Sequence, residues 1–335
     1  MTDFPQHVAD LSKDNTDLPE NRAEKIPVGI SSCLLGERVR YDGGHKKSSY
    51  IMDTLGEYFD YRAFCPEMEI GLGVPRETIR LVQQDDTVRV VGSKNPDLDV
   101  TDALVASAHQ QRDWHQKLFA YIVKKDSPSC GMERVKVFKK DTPHRIGSGF
   151  YTKTLMENFP NLPIEEEGRL GDSVLRENFI HRVFIYRRWH ELIDSGLTLN
   201  KLTDFHARHK LVLFSHNQDA ARTLGNSLSN AHKLDLEQYA YSYISALMAI
   251  LKIPATRRNH VNVLQHIQGY LKQYLDKDDK QELVESIERY RVGQLPLIVP
   301  ITLLNHYFRK FPNEYIDRSY YLAPHPKELM LLNAL

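Results

Sequence analysis

The period of the apolar residues changes once along the chain, near residue 170, and that change limits the fold more than any other feature. Up to about residue 150, short strand-like runs alternate with helical ones: 27–31, a helical 49–58, then 61–64, a helical 99–119, and 120–123. This is the pattern of parallel strands joined by crossovers. The runs 78–82 and 87–91, separated by Gln-Gln-Asp-Asp, read as a hairpin or two edge strands. Gly147, Gly149 and the Pro160/Pro163 pair mark a boundary. From about Asp172 the pattern becomes helix after helix. Val174, Leu175, Phe179, Val183, Phe184, Tyr186 and Trp189 recur near a 3.6-residue period across 173–193, and further helical patterns cover roughly 202–214, 218–230, 236–251, 258–275, 280–291 and 297–311. The expected fold is an α/β domain with a mostly parallel, Rossmann-like sheet, followed by an all-α helical domain. Its expected divisions are a disordered or loosely packed tail (1–25), the α/β domain (26–160) and the helical domain (161–335).

A chain of 335 residues exceeds the roughly 250–300 residues over which one core usually grows, which fits two domains. Lys and Arg number 44, as do Asp and Glu, so no bulk field announces a nucleic-acid or membrane partner. Residues 1–25 lack the apolar core of a secretory signal, and no apolar run reaches the roughly 18 residues that cross a bilayer. A cytoplasmic location is expected, with no membrane partner.

The chain has three cysteines: Cys33 in Ser-Ser-Cys-Leu-Leu-Gly, Cys65 in Phe-Cys-Pro-Glu and Cys130 in Ser-Pro-Ser-Cys-Gly. Cys33 and Cys65 directly follow apolar strand-like runs, and Cys130 comes a few residues after one, which places each in a loop after a strand. If those strands are parallel neighbours, the loops open on one edge of one sheet, where α/β proteins put their ligands. Three thiols cannot all pair within one chain, and a reducing compartment keeps them available. No Cys-x-x-Cys occurs, which disfavours structural zinc unless a histidine is the fourth ligand. Two chemistries stay open: an iron–sulfur cluster on three distant cysteines with one iron lacking a protein ligand, and a thiol nucleophile with a resolving cysteine.

Ser31–Gly36 with Arg40-Tyr41-Asp42-Gly43, Cys65-Pro66-Glu67, Pro75-Arg76 and Ser127-Pro128-Ser129-Cys130-Gly131 together resemble the thiouracil desulfidase family. Glu177-Asn178-Phe179-Ile180 and Phe205-His206-Ala207-Arg208-His209-Lys210 resemble a helical domain found fused to it, as in the branch that acts on 4-thiouridine of transfer RNA. The resemblance implies a [4Fe-4S] cluster on Cys33, Cys65 and Cys130 whose open iron binds the sulfur of a thiolated pyrimidine. It also implies Glu67 and Ser127 as catalytic residues beside it. Glu67, two residues after a ligand, suits a general acid/base; as a first-turn carboxylate it also suits a helix N-terminus. Ser127 before proline equally suits a helix cap. Ser31, Tyr41, Asp42 and Arg76 are candidate substrate contacts, while Tyr41-Asp42-Gly43-Gly44 also suits an ordinary turn.

Residues 239–275 contain no acid but hold Lys252, Arg257, Arg258, His260, His266 and Lys272; residues 205–218 likewise hold His206, Arg208, His209, Lys210 and His216. Such stretches imply an asymmetric surface that could contact RNA phosphates, with Arg208, Lys210, Arg257 and Arg258 as candidates, although cations on amphipathic helices are usually a solvated face. His206, His209 and His216, at spacings of three and seven, suit a shared metal site; core or capping histidines are the alternative. A desulfidase for thiolated uracil is the leading function. The alternative is a non-catalytic RNA-binding or regulatory protein whose cysteine site senses redox state or iron.

Overall fold

The computed structural model of the protein describes residues 24–325, so nearly all of the expected 1–25 tail lies outside the described residues. The α/β half contains β1 (Ile26–Ser31), β2 (Phe59–Phe64), α1 (Pro66–Glu69), β3 (Ile79–Gln84), β4 (Thr87–Gly92), α2 (Thr101–Gln110) and α3 (Arg112–His115). It continues with β5 (Ala120–Val123), β6 (Val135–Lys139), β7 (Thr142–Gly147), α4 (Phe150–Asn158) and β8 (Ile164–Glu166).

Strands β2, β1, β5 and β8 form one sheet in that order, with every pairing parallel. The two central strands, β1 and β5, are almost wholly buried, as expected for parallel strands covered on both faces. Gly29 permits their close packing: a Cβ there would stand 2.5 Å from the Tyr121 ring.

The hairpin expected at 78–91 forms, with Asp85 at φ 48° in its turn, but it is not an edge of this sheet. It belongs to a second sheet of order β4-β3-β6-β7, built around Ile79, Leu81, Val90, Val135 and Val137. The expected helix over 49–58 is instead a single wide turn at Tyr50–Thr54 followed by a short, tight helix at Leu55–Glu57. The chain also returns to the first sheet after the Pro160/Pro163 pair, so that β8 lies beyond the expected boundary at residue 160.

The helical half holds α5 (Ser173–Asp194), α6 (Leu199–His216), α7 (Gln218–Ser227), α8 (Leu236–Lys252), α9 (Arg257–Gly269), α10 (Lys277–Arg291), α11 (Ile298–Lys310) and α12 (Glu314–Arg318). Asp172 caps α5 by accepting from the Val174 and Leu175 N–H groups at 2.9 and 3.0 Å. This helix belongs to both halves. Phe179, Ile180 and Val183 pack into the core of the first sheet with Ile26, Val28 and Ile30, while Ile185 and Trp189 lie in the core of the bundle. Burying each of the first three is worth about 1.5–3 kcal/mol, which makes the joint between the halves part of the core. The segment after α12 lies along the bundle. Tyr320 sits under the Arg188 guanidinium, 3.7 Å from ring centroid to Cζ, and the Tyr321 hydroxyl meets His260 Nδ1 at 2.8 Å. No described helix is long and apolar enough to cross a membrane.

Candidate active site

The three cysteine-bearing loops leave the C-terminal ends of β1, β2 and β5, which are adjacent parallel strands. Cys33 lies in the tight turn directly after β1, Cys65 precedes α1, and Cys130 lies in the loop between β5 and β6. None is in a disulfide, and Cys33 and Cys130 are buried. All three line one cavity of about 340 Å³, together with Ser31, Tyr41, Glu67, Arg76 and Ser127. Of the residues expected near substrate, Asp42 is outside this lining. Its carboxylate accepts from Gly44 N–H at 3.0 Å and makes the turn, and that bond holds its carboxyl below the usual range.

Glu67 projects from the first turn of α1. One carboxylate oxygen accepts from Arg76 Nε at 3.0 Å and Nη2 at 2.7 Å; the other accepts from the Ser129 hydroxyl at 2.5 Å. Because Ser129 gives its only hydroxyl proton to Glu67, Ser127 supplies the proton of the 2.9 Å bond between the two serines. The Ser127 oxygen in turn accepts from the Cys130 N–H at 3.1 Å and the Ser129 N–H at 3.3 Å, which shapes the third cysteine loop. Gly149 makes room for that loop: a Cβ there would stand 2.5 Å from the Ser129 carbonyl carbon.

Arg76 does not have a donor to spare for substrate. Besides Glu67, its N–H groups reach Val39 O at 2.8 Å, Gly73 O at 2.7 Å and Met68 Sδ at 3.6 Å, which accounts for all five. Ser129 was not among the expected site residues because a serine beside a cysteine has no distinguishing spacing; only the fold brings it to Glu67. The lining cations Lys46, Lys124 and Lys125 were missed for the same reason, and Arg40 was quoted only as part of a motif.

The thiols are desolvated. Burial, and next the neighbouring Cys65, push Cys33 up to about 11, with Lys124 and Arg40 opposing. Burial also raises Cys65, and burial followed by the nearby Glu67 and Cys65 raises Cys130. Soft sulfur donors that burial keeps as thiols, set around a cavity, suit iron–sulfur ligation, since metal binding displaces the protons and relieves the burial of a bare charge. Among the described residues no three His, Cys, Asp or Glu side chains converge tightly enough for one metal ion. Three soft thiols lining one cavity are the donor type that a cluster of several irons takes as ligands.

The helical half does not bring its expected residues together. His206 Nδ1 meets the Tyr243 hydroxyl at 3.0 Å, His209 Nδ1 the Phe205 carbonyl at 2.7 Å and His216 Nδ1 the Ile253 carbonyl at 2.6 Å, so the three share no ligand. Burial lowers them to about 4, 3 and 4, and His260 to about 3, so these four are neutral core residues rather than surface cations. Arg208 pairs with Asp204 at 2.7 Å, Lys210 lies over Phe214 and Arg257 over Tyr290. Arg258 is exposed.

Comparison with known proteins finds two matched segments. Residues 28–167 match the 2-thiouracil desulfurase family model, and residues 210–326 match a model described as a protein of unknown function, DUF1722. The uncharacterized protein YbgA of Escherichia coli (strain K12) is 34% identical over 164 residues, spanning 49% of this chain and 94% of YbgA. The uncharacterized protein YbbK of Bacillus subtilis (strain 168) is 31% identical over 110 residues, spanning 30% of this chain and 71% of YbbK. Among solved structures, the [4Fe-4S]-dependent thiouracil desulfidase TudS shares 30% identity and a TM-score of 0.36, over 44% of this chain and 95% of TudS. With all three cysteines inside the matched segment, the chain belongs to the 2-thiouracil desulfurase family and carries a DUF1722 domain after it.

Proposed function

We propose that the protein is an iron–sulfur-dependent desulfidase that removes sulfur from thiolated uracil, as 4-thiouridine in transfer RNA or its nucleosides. Cys33, Cys65 and Cys130 would hold a [4Fe-4S] cluster. The observation that carries this reading is the meeting of three thiols from adjacent parallel strand ends around one cavity that also contains Glu67. When bound, a cluster with only three cysteine ligands supplies an open iron that acts as a Lewis acid toward a thiocarbonyl sulfur, with no net electron transfer.

The net reaction exchanges the thiocarbonyl sulfur for the oxygen of water, and the sulfur leaves as sulfide. Glu67 takes a proton from the attacking water and returns one to the ring nitrogen or the departing sulfur. Arg76 and Ser129 fix the orientation of its carboxylate, and Ser127 on the cavity wall is held by its bond to Ser129.

The cavity's charges support a substrate that carries phosphate. Arg40 faces Asp42, Glu67 pairs with Arg76, Lys124 with Glu167 and Asp126 with Arg145. Among the described residues Lys46 and Lys125 line the cavity without an ion pair, which leaves positive charge for the backbone of a nucleotide or RNA. The helical domain would add RNA contacts through exposed cations such as Arg258, with the thiolated base extruded into the cavity. A reducing cytoplasm suits three unpaired thiols.

Protein prepared without oxygen is expected to hold about four irons and to release sulfide from 4-thiouridine without a reductant, followed by loss of the thiolated base's absorbance. Cys65→Ala protein that turns over at the full rate sinks this reading. For the RNA arm, KM for thiolated transfer RNA should rise with salt while KM for the nucleoside holds steady; equal responses argue against phosphate contacts.

A further inference from the structure

We propose that Arg76 is a positioning residue that clasps the three cysteine loops together before any cluster is present. The interest of the clasp rests on the three cysteines acting as one ligand set, as proposed above, but its evidence is independent of that reaction. Arg76 follows α1 in the connection to β3, and its guanidinium reaches in two directions. Toward the first cysteine loop it donates to Val39 O at 2.8 Å, and its own backbone N–H donates to Tyr41 O at 3.0 Å. Toward the second it makes the two bonds to Glu67, which stands two residues after Cys65.

Glu67 carries the connection onward. Its other oxygen accepts from Ser129, the neighbour of Cys130, and the Ser129 hydroxyl also lies 3.6 Å from Cys130 Sγ. One guanidinium and one carboxylate therefore join the loops after β1, β2 and β5. The pair is secluded, with Arg76 6% exposed and Glu67 16% by side chain, so solvent screens it little and both groups are costly to leave unpaired. The planar guanidinium holds direction as well as distance, which a lysine ammonium on a flexible stem would not.

The parallel strands fix where the loops begin but not where their tips lie. Loop tips open locally at low cost unless tied down. A multi-iron group needs three sulfurs placed at once, and ordering them beforehand lowers the entropy lost on binding.

The test measures alkylation of each cysteine in full-length, iron-free protein, resolved by mass spectrometry. Arg76→Gln is expected to raise the rates at Cys33 and Cys130 about tenfold, the value of losing a charge-assisted hydrogen bond, although neither lies on the loop that carries Arg76. Arg76→Lys should fall between it and the parent protein. Ser129→Ala should speed Cys130 and Cys65 and leave Cys33 slow. Unchanged rates at Cys33 and Cys130, or acceleration at Cys65 alone, overturn the proposal. If Arg76→Gln loses the far-ultraviolet helical signal, the Arg76→Lys rates decide by the same criterion. Because the readout is thiol access in iron-free protein, its failure is distinct from an absence of iron or of desulfidase turnover.

Discussion

In the α/β half, buried and half-buried polar side chains from separate loops meet one another: Arg76 and Ser129 both close on Glu67, and Ser127 closes on Ser129. In the helical half, the buried histidines each answer to a separate partner, His209 to the carbonyl one turn before it, His206 to a tyrosine on α8, His216 to the Ile253 carbonyl and His260 to Tyr321. The first arrangement builds a cavity; the second satisfies a core. Polar residues thus carry chemistry where distant loops bring them to a shared space, and they serve packing where each is satisfied by its own neighbour.

The largest effect expected from this contrast is at Glu67. Glu67→Gln should lower turnover of a thiolated uracil by about 10²–10⁴-fold, the range for a general acid/base, as measured by steady-state kinetics. A variant within a few-fold of the parent would remove Glu67 from the chemistry and leave it only in the clasp.

The helix shared by the two halves gives the next effect. Phe179 is fully buried and packs with Ile26, Val28 and Ile30, so Phe179→Ala should cost about 3–5 kcal/mol in denaturant unfolding. Because α5 belongs to both cores, probes in the sheet and in the bundle should lose stability together. A loss confined to the sheet half, whose core holds Phe179, would mean that the halves fold separately.

The last effect is graded with pH and concerns the histidines. Burial lowers His206, His209, His216 and His260 from 6.5 to about 3–4, so between those pH values the unfolded chain takes up protons that the native state refuses. Their contribution is whole above pH 6.5 and is lost as pH falls toward 4, at about 1.4 kcal/mol per pH unit for each histidine. Unfolding free energies measured across that window should show the slope, and His216→Gln should reduce it by one histidine's share. A flat profile would contradict the core assignment.

Much of this was legible from local pattern. The helical periods locate α6 to α11 to within a few residues, and the runs before the cysteines locate β1, β2 and β5, because burial of one face writes itself into residue spacing. The second sheet was less legible. Val135–Lys139 is a short, half-exposed strand whose identity depends on pairing with β3, and Thr142–Gly147 is a mostly exposed strand that depends in turn on pairing with Val135–Lys139. Within the basic stretches, the sequence does not distinguish a histidine that faces solvent from one that faces a tyrosine, so His206 and His260 were counted there as potential cations.

By itself the sequence determined the two-part architecture, the three cysteine loops and the presence of Glu67 beside one of them, since these follow from spacing along a single segment. The tertiary structure decided that the loops leave neighbouring strands, that Arg76 is consumed by Glu67 and Val39 rather than offered to a ligand, and that Ser129 rather than Ser127 touches the carboxylate. It also decided that α5 joins the two cores. The physical reason is common to all of these: each depends on which groups share a desolvated space, and hydrogen bonds between residues 37 positions apart, as from Arg76 to Val39, or 62 apart, as from Ser129 to Glu67, leave no periodic trace in the chain.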